Sequence, residues 1–170
     1  MTSVTSPQEG PRGLGGWLIF VAIGLLVNPI RLLVYLLSTY PPLFQTGTWQ
    51  ELTTPGTPSY HALWAPLLIF ELLGNSLLIL GCWGLLVFLF RRSPRFPGLF
   101  VIFAVSNLVF IVLDAWLGSF VITDEPMFDS TTARELGRSL FTVCVWVPYM
   151  YRSKRVRNTF VESSAPAALN

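Results

Sequence analysis

The sequence predicts an all-α membrane protein: a four-transmembrane-helix bundle with its N and C termini cytoplasmic. Three observations carry this expectation. First, the chain is 52% hydrophobic and only 12% charged, against about 25% charged in an average soluble domain, and its mean hydropathy is +0.59. Second, the apolar residues gather in four runs, each long enough to cross a hydrocarbon core of about 30 Å. Third, Lys and Arg are unevenly placed. Arg91, Arg92 and Arg95 follow the second run, and Arg152, Lys154, Arg155 and Arg157 follow the fourth, whereas residues 38–62 carry neither Lys nor Arg and residues 123–131 carry only acids. The positive-inside rule then sets both termini in the cytoplasm.

Residues 1–13, with Pro7, Gly10, Pro11 and Gly13, read as a disordered lead. The first helix is expected over 14–37. It is too long for a signal-peptide core and lacks a basic front and an A-x-A exit, so it should stay uncleaved. Pro29 cannot donate to the Leu25 carbonyl, which predicts a kink. Gly24, Asn28, Arg31 and Tyr35 recur at helical spacing and share one face.

An outer loop is expected over 38–62. Within it, Thr48-Trp49-Gln50-Glu51 has the pattern of a capping box, predicting a short surface helix that Pro55-Gly56 stops. Trp49 suits the headgroup level. The second helix is expected over 63–90, with Pro66 in its first turn. There Glu71, Asn75 and Cys82 share a face flanked by Gly74 and Gly81, small residues that let two helices approach closely.

The third helix is expected over 98–122, with Ala104, Asn107, Ile111, Asp114 and Gly118 forming a seam. A second outer loop, 123–132, leads to Thr132-Ala133-Arg134-Glu135, again of capping-box pattern, and a fourth helix over 133–151. These four helices make up a transmembrane domain over 14–151. Residues 152–170 read as a basic, then disordered cytoplasmic tail.

Each helix carries one charge at depth. At 1.5 Å per residue, Arg31 lies roughly 9 Å from the outer end of its helix, Glu71 and Asp114 roughly 12 Å, and Arg138 roughly 8 Å. Charge in hydrocarbon needs a partner, a proton or water. The expectation is a balanced network of Arg31 and Arg138 against Glu71 and Asp114, with Asn28, Asn75 and Ser139 beside it. Such a network either fixes helix packing or lines an outward polar pocket for a small polar or ionic ligand.

Other chemistry is poorly supplied. The single His61 precludes a His-rich metal site, and no Cys/His spacing has a zinc pattern, so no metal and no cofactor is expected. Cys82 and Cys144 sit at different depths and are expected as free, buried thiols. Ser76, Ser106 and Ser139 have no His or Lys base at depth, so the chain is not read as an enzyme. The basic segments serve topology and anionic lipid headgroups, and nucleic-acid binding would need a larger basic surface. Beyond the lipid bilayer, the expected partners are a further copy of the chain or another membrane protein.

Several stretches also carry a resemblance. They are Gly13-Leu14-Gly15-Gly16-Trp17-Leu18, Phe70-Glu71 with Asn75, Arg95-Phe96-Pro97, Asp114, Arg138-Ser139 and the long run Trp146-Val147-Pro148-Tyr149-Met150-Tyr151-Arg152-Ser153-Lys154-Arg155-Val156-Arg157-Asn158-Thr159-Phe160. Over roughly residues 13 to 160 the chain resembles the bacterial domain-of-unknown-function family numbered 2569. That resemblance implies a small four-helix, multi-pass protein of the bacterial inner membrane and implies no activity. The expected role is therefore that of a non-enzymatic accessory or envelope-associated membrane component. The alternative is a small oligomeric transporter or ion pathway using Glu71 and Asp114.

Overall fold

The computed structural model describes residues 13–122 and 126–160, and among these the regular structure is entirely helical. The expected disorder of residues 1–12 and 162–170 lies outside them. Three helices are long and apolar enough to cross a membrane: α1 (Leu18–Gln45), α3 (Trp64–Phe90) and α4 (Phe96–Gly118). Between the first two lies a short helix, α2 (Thr48–Thr53). A fourth ribbon is built from consecutive pieces: α5 (Ser130–Phe141), a π-helical segment (Thr142–Trp146) and α6 (Val147–Arg152). Below it lies α7 (Lys154–Thr159).

Several boundaries differ from the expectation. The first helix continues past Leu37 to Gln45 and takes Pro41 and Pro42 into its last turns, so residues 38–45 are helix and not loop. Burial of Tyr40 and the bond from its hydroxyl to the Leu68 carbonyl (2.9 Å) hold that extension against α3. Neither predicted capping box forms. Helix α2 is entered through Gly47 at φ +79°, and the Glu51 carboxylate instead accepts from the Ser59 hydroxyl. The fourth ribbon starts three residues early because Asp129 is its N-cap, accepting from the amides of Thr131 and Thr132 (3.1 and 2.8 Å). Both cysteines are free, but Cys144 is exposed and only Cys82 is buried.

Glycine spacing sets how closely α3 and α4 pack. A Cβ on Gly74 would collide with the Phe110 ring, and one on Gly81 would lie 2.7 Å from Phe103. Both pairs are seven residues apart, two helical turns, so two rings of α4 seat in two hollows of α3. Packing proceeds from α1 to α3, α3 to α4 and α4 to α5, whereas α1 and α5 meet only sparsely. The bundle is thus a ring of helices with one loose seam.

The two ends differ. At the end bearing Arg91, Arg92, Arg95 and the basic tail, called here the basic end, the core is dense. Leu18, Leu89, Phe96 and Val156 are fully buried there, with Val21, Leu25, Leu86 and Phe100 next to them. Helix α7 is tucked beneath this core: Phe160 stacks on Phe96 at 4.9 Å, and the Gly13 amide donates to the Thr159 hydroxyl (3.0 Å). The first part of the basic tail is therefore folded back and not extended. At the opposite end, which carries Glu51 and Asp129 and is called the acidic end, the helices separate around a cavity.

Candidate functional site: a polar-headed cavity

The cavity has a volume of about 820 Å³ and is bordered by α1, α3, α4 and the fourth ribbon. It is long. From Thr131 to Trp146 along the fourth ribbon is roughly 22 Å, and from Phe100 to Asp114 along α4 roughly 21 Å, at 1.5 Å per residue. All seven residues that the sequence places in a buried polar group border it: Asn28, Arg31, Glu71, Asn75, Asp114, Arg138 and Ser139. Tyr35, Asn107 and Glu135 join them.

The pairing differs from the expected one. Arg31 meets Glu135 at 3.3 Å, across the loose seam between α1 and α5. Glu71 has no arginine partner among the described residues. Its carboxylate accepts from the Tyr35 hydroxyl and, at 3.5 Å, from the Tyr40 hydroxyl. The physical reason is the length of α1. Once α1 reaches Gln45, Tyr35 and Tyr40 both lie level with Glu71 and take its oxygens, which leaves Arg31 to reach sideways to α5. Glu135 was hidden from sequence reading by its place in an apparent capping box. The signal that would have exposed it is Asp129-Ser130-Thr131-Thr132, where Asp129 is the stronger cap.

Asp114 and Arg138 are the remaining charges. The Asp114 Oδ1 is buried without a hydrogen-bond partner, and Arg138 forms no ion pair among the described residues. Both border the cavity. That oxygen is shut off from the cavity, so it is the rest of the Asp114 carboxyl group that borders it.

Beneath these charges lies a layer of neutral polar groups. Asn107 Nδ2 donates to the Ser139 hydroxyl (3.2 Å), Asn75 Nδ2 to the Glu71 carbonyl (3.0 Å), and Asn28 Nδ2 points to the Cys82 Sγ at 3.9 Å. Around and below the Asn28–Cys82 contact, which lies level with Phe103, the lining is otherwise apolar: Phe20, Val21, Leu25, Phe100, Phe103 and Trp146. The π-helical segment falls within this wall, between Thr142 and Trp146, just before Pro148, which has no amide hydrogen to continue an α-helical ladder. The basic groups Arg91, Arg92, Arg95, Arg152, Lys154 and Arg157 are exposed at the other end, remote from the cavity, while Arg155 is half-buried against Gly15 and Gly16. No group of three or more His, Cys, Asp or Glu arranged for a metal occurs among the described residues.

The family described as protein of unknown function (DUF2569) matches residues 11–161. Inner membrane protein YdgK of Escherichia coli is 29% identical over 156 residues, which span 89% of this chain and 95% of that protein. No solved structure matches the chain. With its three membrane-length apolar helices, the chain belongs to the DUF2569 family and is a multi-pass protein of the bacterial inner membrane.

Proposed function

We propose that the protein is a non-enzymatic membrane component that holds a small charged or polar ligand in its cavity. In this reading the fourth ribbon is a fourth transmembrane helix. It runs Ser130–Arg152, roughly 34 Å at 1.5 Å per residue, enough for a bilayer core. Both termini are cytoplasmic, the basic end faces the cytoplasm, and the cavity opens outward. The exposed basic residues rest on anionic headgroups. A second copy or another membrane protein covers part of the lipid-facing surface.

One observation carries this proposal. Polar side chains from all four helical ribbons converge on a single cavity of about 820 Å³, and two of its charges, Asp114 and Arg138, have no charged partner among the described residues. A purely structural network would be expected to pair its charges. The volume lies in the usual range for ligand pockets, about 300–1,000 Å³. A carrier role using Glu71 and Asp114 is the second reading, because both carboxylates border the same cavity.

Thermal-shift measurements with small cations, anions and zwitterions, run beside proton and ion flux in liposomes, separate these readings. The proposal expects stabilisation by a subset of solutes, lost in Asp114→Asn and Arg138→Gln, with no flux above empty vesicles. Flux that vanishes with Glu71→Gln in folded protein would replace it with the carrier. Neither stabilisation nor flux would reduce the cavity to a packing feature.

A further inference from the structure

The cavity changes character along its length, and that gradient identifies a class of ligand. At the acidic end stand Asp114 and Arg138, an acid without a hydrogen-bond partner on one oxygen and a base without an ion pair among the described residues. Toward the other end the walls are Trp146, roughly 12 Å from Arg138 along the fourth ribbon, and Phe103 and Phe100, roughly 17 and 21 Å from Asp114 along α4. A small polar solute would match the first part and leave the second wet and unfilled. A wholly apolar molecule would leave both charges unpaired. The molecule that satisfies both ends has a cation and an anion on its head and an apolar tail.

Size and access agree. At about 30 Å³ for a water-sized group, 820 Å³ accommodates on the order of thirty such groups, matching a compact head and one chain. The apolar part, from Asn107 to Phe100 on α4 and from Ser139 to Trp146 on the fourth ribbon, runs roughly 10 Å, about two-thirds of the hydrocarbon depth of one leaflet. The sparse contact between α1 and α5 provides a lateral route from the bilayer, strapped near its polar end by Arg31 and Glu135. Resting on the proposed ligand-holding role, we infer that the occupant is a single-chain zwitterionic amphiphile. Its cationic group sits on Asp114, its anionic group on Arg138 and its tail against the aromatic floor. Such a molecule would come from the surrounding membrane, as a product of lipid deacylation does.

The full-length protein, stripped of lipid and exchanged into a non-ionic detergent, would be titrated with three probes: lysophosphatidylethanolamine, lysophosphatidylglycerol and free phosphoethanolamine. Native mass spectrometry and intrinsic tryptophan fluorescence, with Trp146→Phe separating the cavity tryptophan from the other five, report stoichiometry and affinity. The inference expects one lysophosphatidylethanolamine per chain, bound at least about tenfold more tightly than either comparator. Asp114→Asn and Arg138→Gln should each weaken it by about tenfold or more. Gly24→Leu is the control for the tail. Gly24 borders the cavity and an added Cβ meets nothing within 4 Å, so the new side chain fills the tail site and leaves the fold intact. It should weaken the amphiphile and leave any phosphoethanolamine binding unchanged. If phosphoethanolamine binds as tightly as the amphiphile and Gly24→Leu affects neither, the amphiphile inference falls while the ligand-holding role stands. Equal binding of the two lysolipids overturns the zwitterion assignment. Failure of all three probes overturns the inference, and the thermal-shift panel then decides the underlying role separately.

Discussion

At the scale of single residues, similar-looking acids do different work. Glu71 accepts from two tyrosine hydroxyls, so Glu71→Gln should destabilise the protein by about 1.5–3 kcal/mol, the range for hydrogen bonds to a charged group. Asp114 has a buried oxygen with no partner among the described residues, so Asp114→Asn should leave unfolding unchanged or raise its midpoint. Thermal unfolding in one detergent tests the contrast, and equal losses would refute it. Asp129 is different again. Hydrogen bonding from Thr132 first, then from Thr131, holds its carboxyl down at about 2. A carboxyl depressed on folding contributes stability above its unfolded value of about 3.9, and that contribution fades as pH falls toward 2. Asp129→Ala should therefore lower the melting temperature at pH 6 and matter progressively less below about pH 4. Asp129→Asn, a comparable cap, should lower it less at pH 6. Sequence spacing put Asn28 on one face with Arg31 and Glu71 on one face with Asn75, and all four border the cavity. It could not assign partners, because a partner depends on relative helix heights, and those moved when α1 proved longer.

Elements show where local signals mislead. Pro41-Pro42 argued for a loop, yet the chain there stays helical because Tyr40 packs on α3 and its hydroxyl bonds the Leu68 carbonyl. Tertiary contact overrode a breaker. The junction of α3 and α4 fell within two residues of expectation because Arg91-Arg92-Ser93-Pro94 is a strong stop, whereas α4 ends at Gly118, four residues short of the expected Ile122. Arg92 itself adopts φ +51°, and the Ser93 amide bonds the Phe88 carbonyl at 3.0 Å, the geometry of a helix end that ordinarily uses glycine. Arg92→Gly should accordingly stabilise the protein by about 0.5–1 kcal/mol. A lower midpoint would show that the arginine has a compensating role. Between α3 and α4 the glycines decide the approach. Gly74→Leu should destabilise by about 1–3 kcal/mol, since Phe110 already occupies the space, whereas Gly84→Leu, whose added Cβ meets nothing within 4 Å, should cost much less. The π-helical segment was not legible, because Pro148 alone reads equally well as an ordinary helix end.

For the whole molecule, the sequence told the class and the membrane setting through composition and run length alone. It did not tell that one end would be packed and the other hollow. That asymmetry follows from side-chain size. Leu, Phe and Met interdigitate at the basic end, whereas charged and amide side chains at the acidic end hold the helices apart. The Arg31–Glu135 contact cannot close the bundle by itself. Both side chains are nearly half exposed, 44% and 43%, and a pair so placed is worth about 0–1 kcal/mol. What closes the bundle there is weak, and the cavity should be water-accessible and open on the side away from the basic end. Cysteine accessibility in intact cells tests it most directly, in a Cys82→Ser, Cys144→Ser background. Asn28→Cys places a thiol in the cavity wall, and Ile30→Cys places one on the lipid-facing side of the same helix turn, where Ile30 is 57% exposed. A charged, membrane-impermeant methanethiosulfonate added outside should label Asn28→Cys and spare Ile30→Cys. An unreactive Asn28→Cys in protein whose Thr131→Cys variant labels readily would contradict it.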